Sequence, residues 1–414
     1  MVNIILNRTF WPVGHGAFYT EEHIFRSSDK AFCAVYDCGG KSQKIICNRV
    51  DEFLDSVRDA QTVNRPTIDY LFISHFHRDH INGVRYLLRQ ASVQHIVVPQ
   101  LEVTRLIEAY IYNAVTMNVD DIGEDDAQMF IRLQLATHEI PDERIIEVEP
   151  ANDDYSNPEP PINEHNTLVS RRRNIRRRNI EIKDNNGLPY WIYIPVNIDY
   201  DKEKRRKLID ELNAICAANG ILDVVVDGEI QWNSIDALLK TNMKYVKQTY
   251  KDIFKENHNA YSMPVYSGPV EDAVRCHDVD FRYNYMDWYP CHPKCWCTNR
   301  KLYKHVLKQM MSCLYMGDFE AKDPNNLNKL RTALKPYYYR IGMQQVPHHY
   351  SPNNHNTELY NDRIIAFGNI DYHKDVSFCY SVYDQIQRET CLPPIVITEE
   401  DAYQEFMIEF RITY

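Results

Sequence analysis

The chain has 414 residues, of which 44% are hydrophobic and 25% are charged, a composition typical of a globular protein. Its net charge of −11 argues against a generally basic nucleic-acid-binding surface, but not against a local basic groove. The sequence has no apolar run of the roughly 20 residues that a membrane span needs, so no membrane contact is predicted. The 11 scattered cysteines and an N-terminus without signal-peptide features predict a cytoplasmic protein with reduced thiols.

The first 117 residues predict strands that alternate with helices. Apolar runs typical of strands occupy residues 4–6, 16–19, 32–36, 69–73 and 95–99. Patterns typical of helices occupy residues 44–57, a segment from residue 83 onward, and residues 101–117. The alternation predicts an α/β fold in which helices cover two stacked sheets.

A histidine-rich run follows the predicted strand at residues 69–73. The apolar strand stops at Ser74, and four potential metal ligands then fall within six residues, namely His75, His77, Asp79 and His80. His75 and His77 would point to the same side of an extended chain, whereas Asp79 and His80 come after a turn and can face a second point. The spacing therefore predicts two adjacent metal ions. The alternative is a histidine-rich surface loop.

The middle of the chain contains an arginine run at residues 171–178. Neutralising phosphates supplies most nonspecific affinity for nucleic acid, so Arg172 and Arg176 are candidate substrate-binding residues. A solvated, flexible basic loop explains the run equally well. The neighbouring sequence predicts strands at 188–196 and 221–226 and helices at 203–218 and 233–256.

A second group of metal-binding residue types lies later in the chain. Four cysteines and two histidines fall within 22 residues, and Cys276, Cys291, Cys295 and Cys297 are candidate ligands of a structural zinc ion. The spacing contains no Cys-x-x-Cys pair, so reduced cysteines in an ordinary hairpin are the alternative. Beyond this group the sequence predicts a helix at 325–334 and strands at 341–346, 364–367 and 394–398.

The His-x-His-x-Asp-His run after a hydrophobic strand resembles the signature of the metallo-β-lactamase fold. Residues 35–40 resemble that family's early strand-end aspartate motif, and residues 315–318 resemble its later Gly-Asp motif. Residues 345–351 resemble the Val-Pro-His-His-Gly-Ser motif of the branch that includes the hydrolase domain of the competence protein ComEC. Residues 12–16 resemble that branch's Val-Gly-Gln-Gly, with His15 at the glutamine position.

The resemblance implies an α/β fold, an αββα sandwich with a large mixed insertion. Its first half would be residues 1–117 and its second half residues 258–414, with a Cys/His-rich hairpin at 276–297. Residues 118–257, which carry the basic run, would be an insertion or an elaborated edge of the second half.

The resemblance also implies two divalent metals, zinc in the first instance and manganese or iron as alternatives. His75 and His77 would hold one metal, Asp79 and His80 the other, Asp318 would bridge both, and His348 would complete the second. Asp79, His349 and Asp37 would serve catalysis, with His349 donating a proton or contacting substrate and Asp37 orienting a ligand histidine. On sequence alone the roles of His348 and His349 are interchangeable. The segment 371–375 resembles a late Tyr-x-His-Pro motif and makes His373 a candidate substrate contact.

Many members of the family have one more histidine at the first metal, and the sequence does not place it. His138, His165 and His258 are the candidates.

These features together predict a hydrolase that uses a metal-bridged hydroxide. The predicted substrates are phosphodiesters, as in DNA, RNA or a nucleotide messenger, and the predicted setting is a bacterial defence system with a protein partner bound through the insertion. One alternative is a hydrolase of small esters, thioesters or lactams. The other is a non-catalytic interaction subunit.

Overall fold

The structure is a computed structural model that describes residues 3–26, 31–61, 63–116, 125–136, 140–151, 173–175, 179–198, 202–254, 262–270, 274–282, 304–308, 311–361, 363–390, 394–398 and 406–413. Its strands are β1 (Asn3–Phe10), β2 (Tyr19–Phe25), β3 (Ala31–Tyr36), β4 (Thr67–Phe72), β5 (Ser92–Pro99), β6 (Ile145–Val148), β7 (Arg173–Ile175), β8 (Ile180–Lys183), β9 (Pro189–Pro195), β10 (Val225–Val226), β11 (Glu229–Ile230), β12 (Val265–Pro269), β13 (Arg275–Arg282), β14 (Ser312–Tyr315), β15 (Ile341–Gln345), β16 (Ile365–Ile370), β17 (Ile395–Thr398) and β18 (Phe406–Thr413). Its helices are α1 (Gln43–Gln61), α2 (Arg78–Ile81), α3 (Val84–Gln90), α4 (Val103–Thr116), α5 (Asp126–Met129), α6 (Lys202–Ala218), α7 (Trp232–Phe254), α8 (Pro324–Ala333) and α9 (Tyr372–Thr390).

Two large sheets pack face to face. The first has the strand order β13-β18-β1-β2-β3-β4-β5-β6-β7, and the second has the order β17-β16-β15-β14-β12-β9-β8. Apolar side chains from both sheets form one buried cluster, which includes Phe10 and Val97 from the first sheet and Trp191 and Phe367 from the second. The space between the sheets is therefore the central core of the protein.

Helices cover the outer face of each sheet. In α1 the buried residues recur with helical spacing at Ile46, Val50, Phe53, Leu54 and Val57, so one face of the helix packs against the first sheet. The helices α3, α4, α6 and α7 contribute to the same cluster, whereas α8 and α9 pack on the second sheet. This arrangement confirms the predicted α/β fold with an αββα sandwich.

The described parts of residues 118–257 extend the sandwich at several places. Strands β6 and β7 continue the first sheet, and β8 and β9 continue the second. Helices α6 and α7 pack on α4 through buried residues such as Leu212 and Leu239. These residues are thus interleaved with both halves of the fold, and the predicted boundaries at 118 and 257 stay predictions.

Two predicted strands are wrong in their position. The segment 16–19 is mainly a loop, because Gly14 and Gly16 take positive φ values of 71° and 150° and the regular strand begins only at Tyr19. The segment 221–226 contributes only Val225 and Val226 to a two-residue ladder with β11. Ile221, Val224 and Val225 pack against the helical cluster instead, whereas Leu222 is exposed.

The parallel strands of both sheets direct chemically active residues to the same end of the sandwich. Strands β3 to β7 are mutually parallel, as are β14 to β17. Asp37 follows β3, His75 follows β4, Asp318 follows β14 and His348 follows β15. The carboxyl ends of these strands therefore supply the residues of one site.

Candidate metal centre

Asp37 fixes the start of the histidine-rich loop. Its Oδ1 accepts a hydrogen bond of 2.7 Å from the Ser74 backbone N–H, and its Oδ2 accepts one of 2.7 Å from the Ser74 hydroxyl. Asp37 itself has a φ of 55°, a left-handed conformation that costs a non-glycine residue about 1–2 kcal/mol. The Asp37 carboxylate thus holds the loop at the point where β4 ends, although the backbone of Asp37 is strained.

Two groups of potential metal ligands share the Asp318 side chain. We name the group His75, His77 and Asp318 the first metal position and the group Asp79, His80, Asp318 and His349 the second metal position, since each group could hold a metal ion. In each group the ligand atoms lie within 4.8 Å of one another.

The two Asp318 oxygens face different groups. His75 Nε2 lies 3.6 Å from Oδ2, whereas His80 Nε2 lies 3.2 Å from Oδ1 and His349 Nε2 lies 3.7 Å from Oδ1. His349 Nε2 also lies 3.3 Å from the Asp79 carboxylate. The Asp318 side chain thus lies between the two groups of potential ligands, and its role as a metal bridge stays a prediction.

Hydrogen bonds on the far side of two rings fix which nitrogen faces the centre. His80 Nδ1 lies 2.7 Å from Asp37 Oδ2, and His349 Nδ1 lies 3.1 Å from the Asn369 carbonyl oxygen. A carboxylate and a carbonyl only accept, so Nδ1 donates in both rings and Nε2 is the nitrogen that faces the centre. His75 Nδ1 contacts the hydroxyls of Ser74 and Ser262 at 2.9 and 3.2 Å, and Nε2 of this ring also faces Asp318.

The residues present fit divalent metals. The Nε2 atoms of His75, His80 and His349 are buried and carry no hydrogen bond of ordinary geometry, although they surround a carboxylate. Buried polar atoms are otherwise satisfied in proteins, so this cluster is chemically incomplete. Imidazole nitrogens with carboxylate oxygens are the donor set that zinc and similar ions take.

Burial and mutual charge set the protonation of the centre. Burial opposes ionisation of Asp318, but neighbouring imidazoles, His348 foremost, hold the pKa of its carboxyl well below the usual range. Burial also opposes protonation of His80, but three surrounding carboxylates raise its pKa well above the usual value. Burial lowers the pKa of His77 to about 3, so this ring is neutral and available as a ligand at neutral pH.

The two adjacent histidines after β15 both reach Asp318. His348, His349 and Tyr350 have φ values of 48°, 50° and 65°, so the chain makes a left-handed turn here. His348 Nε2 lies 3.8 Å from Asp318 Oδ2, and its Nδ1 contacts Asn354 Oδ1 at 2.8 Å. The grouping with Asp79 and His80 contains His349 and not the predicted His348. That His348 is the metal ligand therefore stays a prediction.

Several predicted site residues lie outside the described part of the chain. They are Arg172, Arg176, Cys291, Cys295, Cys297, and the three candidate histidines 138, 165 and 258. His373 lies in α9, and only its backbone is described. Cys276 lies on β13, where its thiol contacts the Asp278 carbonyl at 3.2 Å. The structural zinc site and the substrate contacts therefore stay predictions.

Some residues of the centre had no role assigned from the sequence. His15 Nε2 lies 3.5 Å from Asp79 Oδ2, and its ring lies 4.1 Å from the His349 ring. Its place in the Val-Gly-His-Gly segment was a usable signal. Asn113 and Tyr112 on α4 also contact the histidine-rich loop, but a lone asparagine in an amphipathic helix carries no recognisable pattern.

The stacked sheets, the outer helices and a histidine–aspartate centre at the carboxyl ends of the strands define the metallo-β-lactamase fold, here with added elements. A family model described as Metallo-beta-lactamase superfamily matches residues 25–143, which include the His75–His80 run and end before Asp318. The search of curated proteins finds no match to the chain. Among the described residues, no helix is long and apolar enough to cross a membrane.

Proposed function

We propose that this protein is a binuclear metallohydrolase that cleaves phosphodiester bonds. The observation that supports it most is the single Asp318 carboxylate whose two oxygens face two separate groups of imidazoles. Two bound divalent metals would supply Lewis-acid stabilisation of the displacement and lower the pKa of a water molecule.

The chain's own residues would divide the work. Asp318 would fix the spacing of the two metal positions, and His75 with His77 would complete the first. In the second position we assign His349 as a ligand beside Asp79 and His80, because its Nε2 lies 3.3 Å from the Asp79 carboxylate and 3.7 Å from Asp318 Oδ1. Asp37 would orient His80 through the hydrogen bond to Nδ1.

The described part of the basic run, residues 173–175 in β7, favours phosphodiesters among the substrates that such a centre could hydrolyse. Arg173 pairs in register with Ile146, which pairs with Val97, which pairs with Phe72 at the end of β4. Three strand spacings put β7 about 14 Å from β4. All four strands run in parallel, so β7 leads toward the edge where the metal centre lies. Cations there would attract a polyanionic substrate.

Metal analysis combined with a substrate screen tests the proposal. The purified protein should contain up to two divalent metals per chain and hydrolyse bis-p-nitrophenyl phosphate, DNA or RNA. Asp79→Ala should lose activity while staying folded. The control Asp55→Ala, which removes an exposed carboxylate on α1, should stay folded and keep its activity. Metal-dependent cleavage of only esters, thioesters or lactams would replace the substrate class, and a metal-free protein would end the proposal.

The arginine run provides a second arm of the same screen. Changing Arg172 and Arg176 to Gln should flatten the salt dependence of polymer binding by about 0.7–0.9 in log–log slope for each phosphate that is no longer neutralised. Hydrolysis of the small chromogenic diester should be unchanged. An unaltered slope would mean that the run is a solvated loop.

A further inference from the structure

The ring of His77 is stacked on a ring from α4. The centroids of His77 and Tyr112 lie 3.7 Å apart, with 19° between the ring planes. The other four histidines near Asp318 have Nδ1 anchored by a neighbouring oxygen. His77 is therefore oriented by a stacking contact with Tyr112 that the other four do not share.

Asn113, the next residue on α4, holds the backbone on both sides of His77. Its Nδ2 donates to the Phe76 carbonyl at 3.0 Å, and its Oδ1 accepts from the Arg78 backbone N–H at 2.8 Å. Asn113 is fully buried, so these two hydrogen bonds are shielded from water. They fix both peptide units that determine where the His77 side chain starts.

Helices from the middle of the chain hold α4 in turn. The Tyr110 hydroxyl donates to Asp236 on α7 at 3.0 Å, and the Tyr250 hydroxyl of α7 donates to Glu108. Arg132 also forms an ion pair of 2.6 Å with Asp236. The two tyrosine contacts connect α4 to α7, a helix of the predicted insertion, and Arg132, which follows α5, neutralises the Asp236 carboxylate that Tyr110 contacts.

We propose that Asn113 and Tyr112 are positioning residues for the first metal position, and that α7 holds them in place. This inference rests on the proposed function. Among the described residues, the first metal position has three potential ligands and the second has four, so a displaced His77 removes a larger share of those at the first position. Loss of partners that orient a ligand typically weakens metal affinity about 10- to 100-fold.

Asn82 offers a matched control for Asn113. It is also fully buried, and its side chain also makes two backbone hydrogen bonds, with the N–H and the carbonyl of Gly40 at 3.0 and 2.9 Å. Asn82→Ala and Asn113→Ala therefore remove the same kind of interaction at two places. We expect a similar fall in Tm in both variants.

The decisive measurement is the metal affinity of each of the two positions, determined separately, for example by ¹¹³Cd NMR and chelator competition on the whole chain. Asn113→Ala should weaken the first metal position about 10- to 100-fold. Asn82→Ala should leave that position within about twofold of the wild type, because the hydrogen bonds that it removes lie away from His77. Equal first-position affinity in Asn113→Ala and the wild type would overturn the inference.

Substitutions at Tyr112 decide the question if Asn113→Ala does not fold. Tyr112→Phe keeps the ring stacked on His77 and should keep first-position affinity, whereas Tyr112→Leu removes the stack and should weaken it. Equal affinities in these two variants would overturn the stacking role. If the wild-type protein binds no metal, the proposed function is refuted. If the wild type binds two metals and both Asn113→Ala and Tyr112→Leu bind them with unchanged affinity, this inference alone is refuted.

Discussion

Two buried carboxylates, Glu21 and Asp318, lie in the same sandwich with opposite surroundings. Between the sheets, Glu21 Oε1 accepts from Arg8 Nε at 2.7 Å and from the Tyr315 hydroxyl at 2.8 Å. Its Oε2 accepts from the Tyr193 hydroxyl at 2.6 Å and the Ser267 hydroxyl at 2.7 Å. Burial opposes ionisation of Glu21, but Arg8, His23 and the Tyr193 hydroxyl hold its pKa below the usual range.

Asp318 is surrounded by imidazoles at 3.2–3.8 Å, and three of the facing nitrogens carry no hydrogen bond of ordinary geometry. Protein groups alone satisfy Glu21, whereas the nitrogens that converge on Asp318 form groups that could hold a metal ion. Burial of charge therefore does not by itself mark a functional site. The mark is donor atoms that converge and remain incomplete.

Asp318→Ala should have the largest effect of these substitutions, and the effect is a loss of activity. Removing the shared carboxylate takes one ligand from both metal positions, so we expect loss of metal and a fall of at least about 10⁴-fold in kcat/KM, or roughly 5.5 kcal/mol. Metal content by mass spectrometry and hydrolysis of a chromogenic diester measure it. Retention of two metals per chain would show that Asp318 does not bridge them.

Arg8→Met should have the next largest effect, and the effect is a loss of stability. It leaves the Glu21 carboxylate buried without its cation, a change that typically costs about 3–5 kcal/mol. Urea denaturation measures the free energy of unfolding, and the folded fraction should keep its metal affinity. A loss below about 1 kcal/mol would mean that the hydroxyl donors suffice for Glu21.

Glu22→Gln should have a smaller effect that depends on pH. Glu22, the neighbour of Glu21, is buried against α1 with the Ser56 hydroxyl donating to it at 3.2–3.3 Å, and burial raises its pKa to about 7. The folded state therefore holds this proton more tightly than the unfolded state, and that stabilisation is lost as pH rises from about 4.5 to 7.

Glutamine cannot ionise, so the variant should lack this loss. Above pH 7 the free energy of unfolding of the variant should exceed that of the wild type by roughly 3 kcal/mol, relative to their difference at low pH. Thermal denaturation from pH 4.5 to 8 measures it. Parallel profiles for the two proteins would show that Glu22 titrates normally.

Features that depend on local sequence could be predicted, and features that depend on distant partners could not. His75, His77, Asp79 and His80 follow one apolar strand, so their convergence needed only the chain itself. Asp318 came from a resemblance, because 237 residues separate it from His80 and no spacing rule connects them. The roles of Asn113 and Asn369 depend on backbone groups that only the folded chain brings near.

The strand β18 shows the same limit. Its buried residues alternate at Phe406, Ile408, Phe410 and Ile412, which is a strand pattern. Its partner is β1, where Asn3 pairs with Thr413 across the whole length of the chain. Sequence could have predicted the strand, but not that it inserts between β1 and β13.

The left-handed turn at residues 348–350 has a consequence for binding. Such a turn costs about 1–2 kcal/mol for each non-glycine residue, and that cost is met when the chain folds. The Tyr350 ring is fully buried and its hydroxyl donates to the Ile395 carbonyl at 3.0 Å, which holds the turn in place. Both imidazoles are consequently preorganised, and a ligand that arrives between them need not spend binding energy to order either ring.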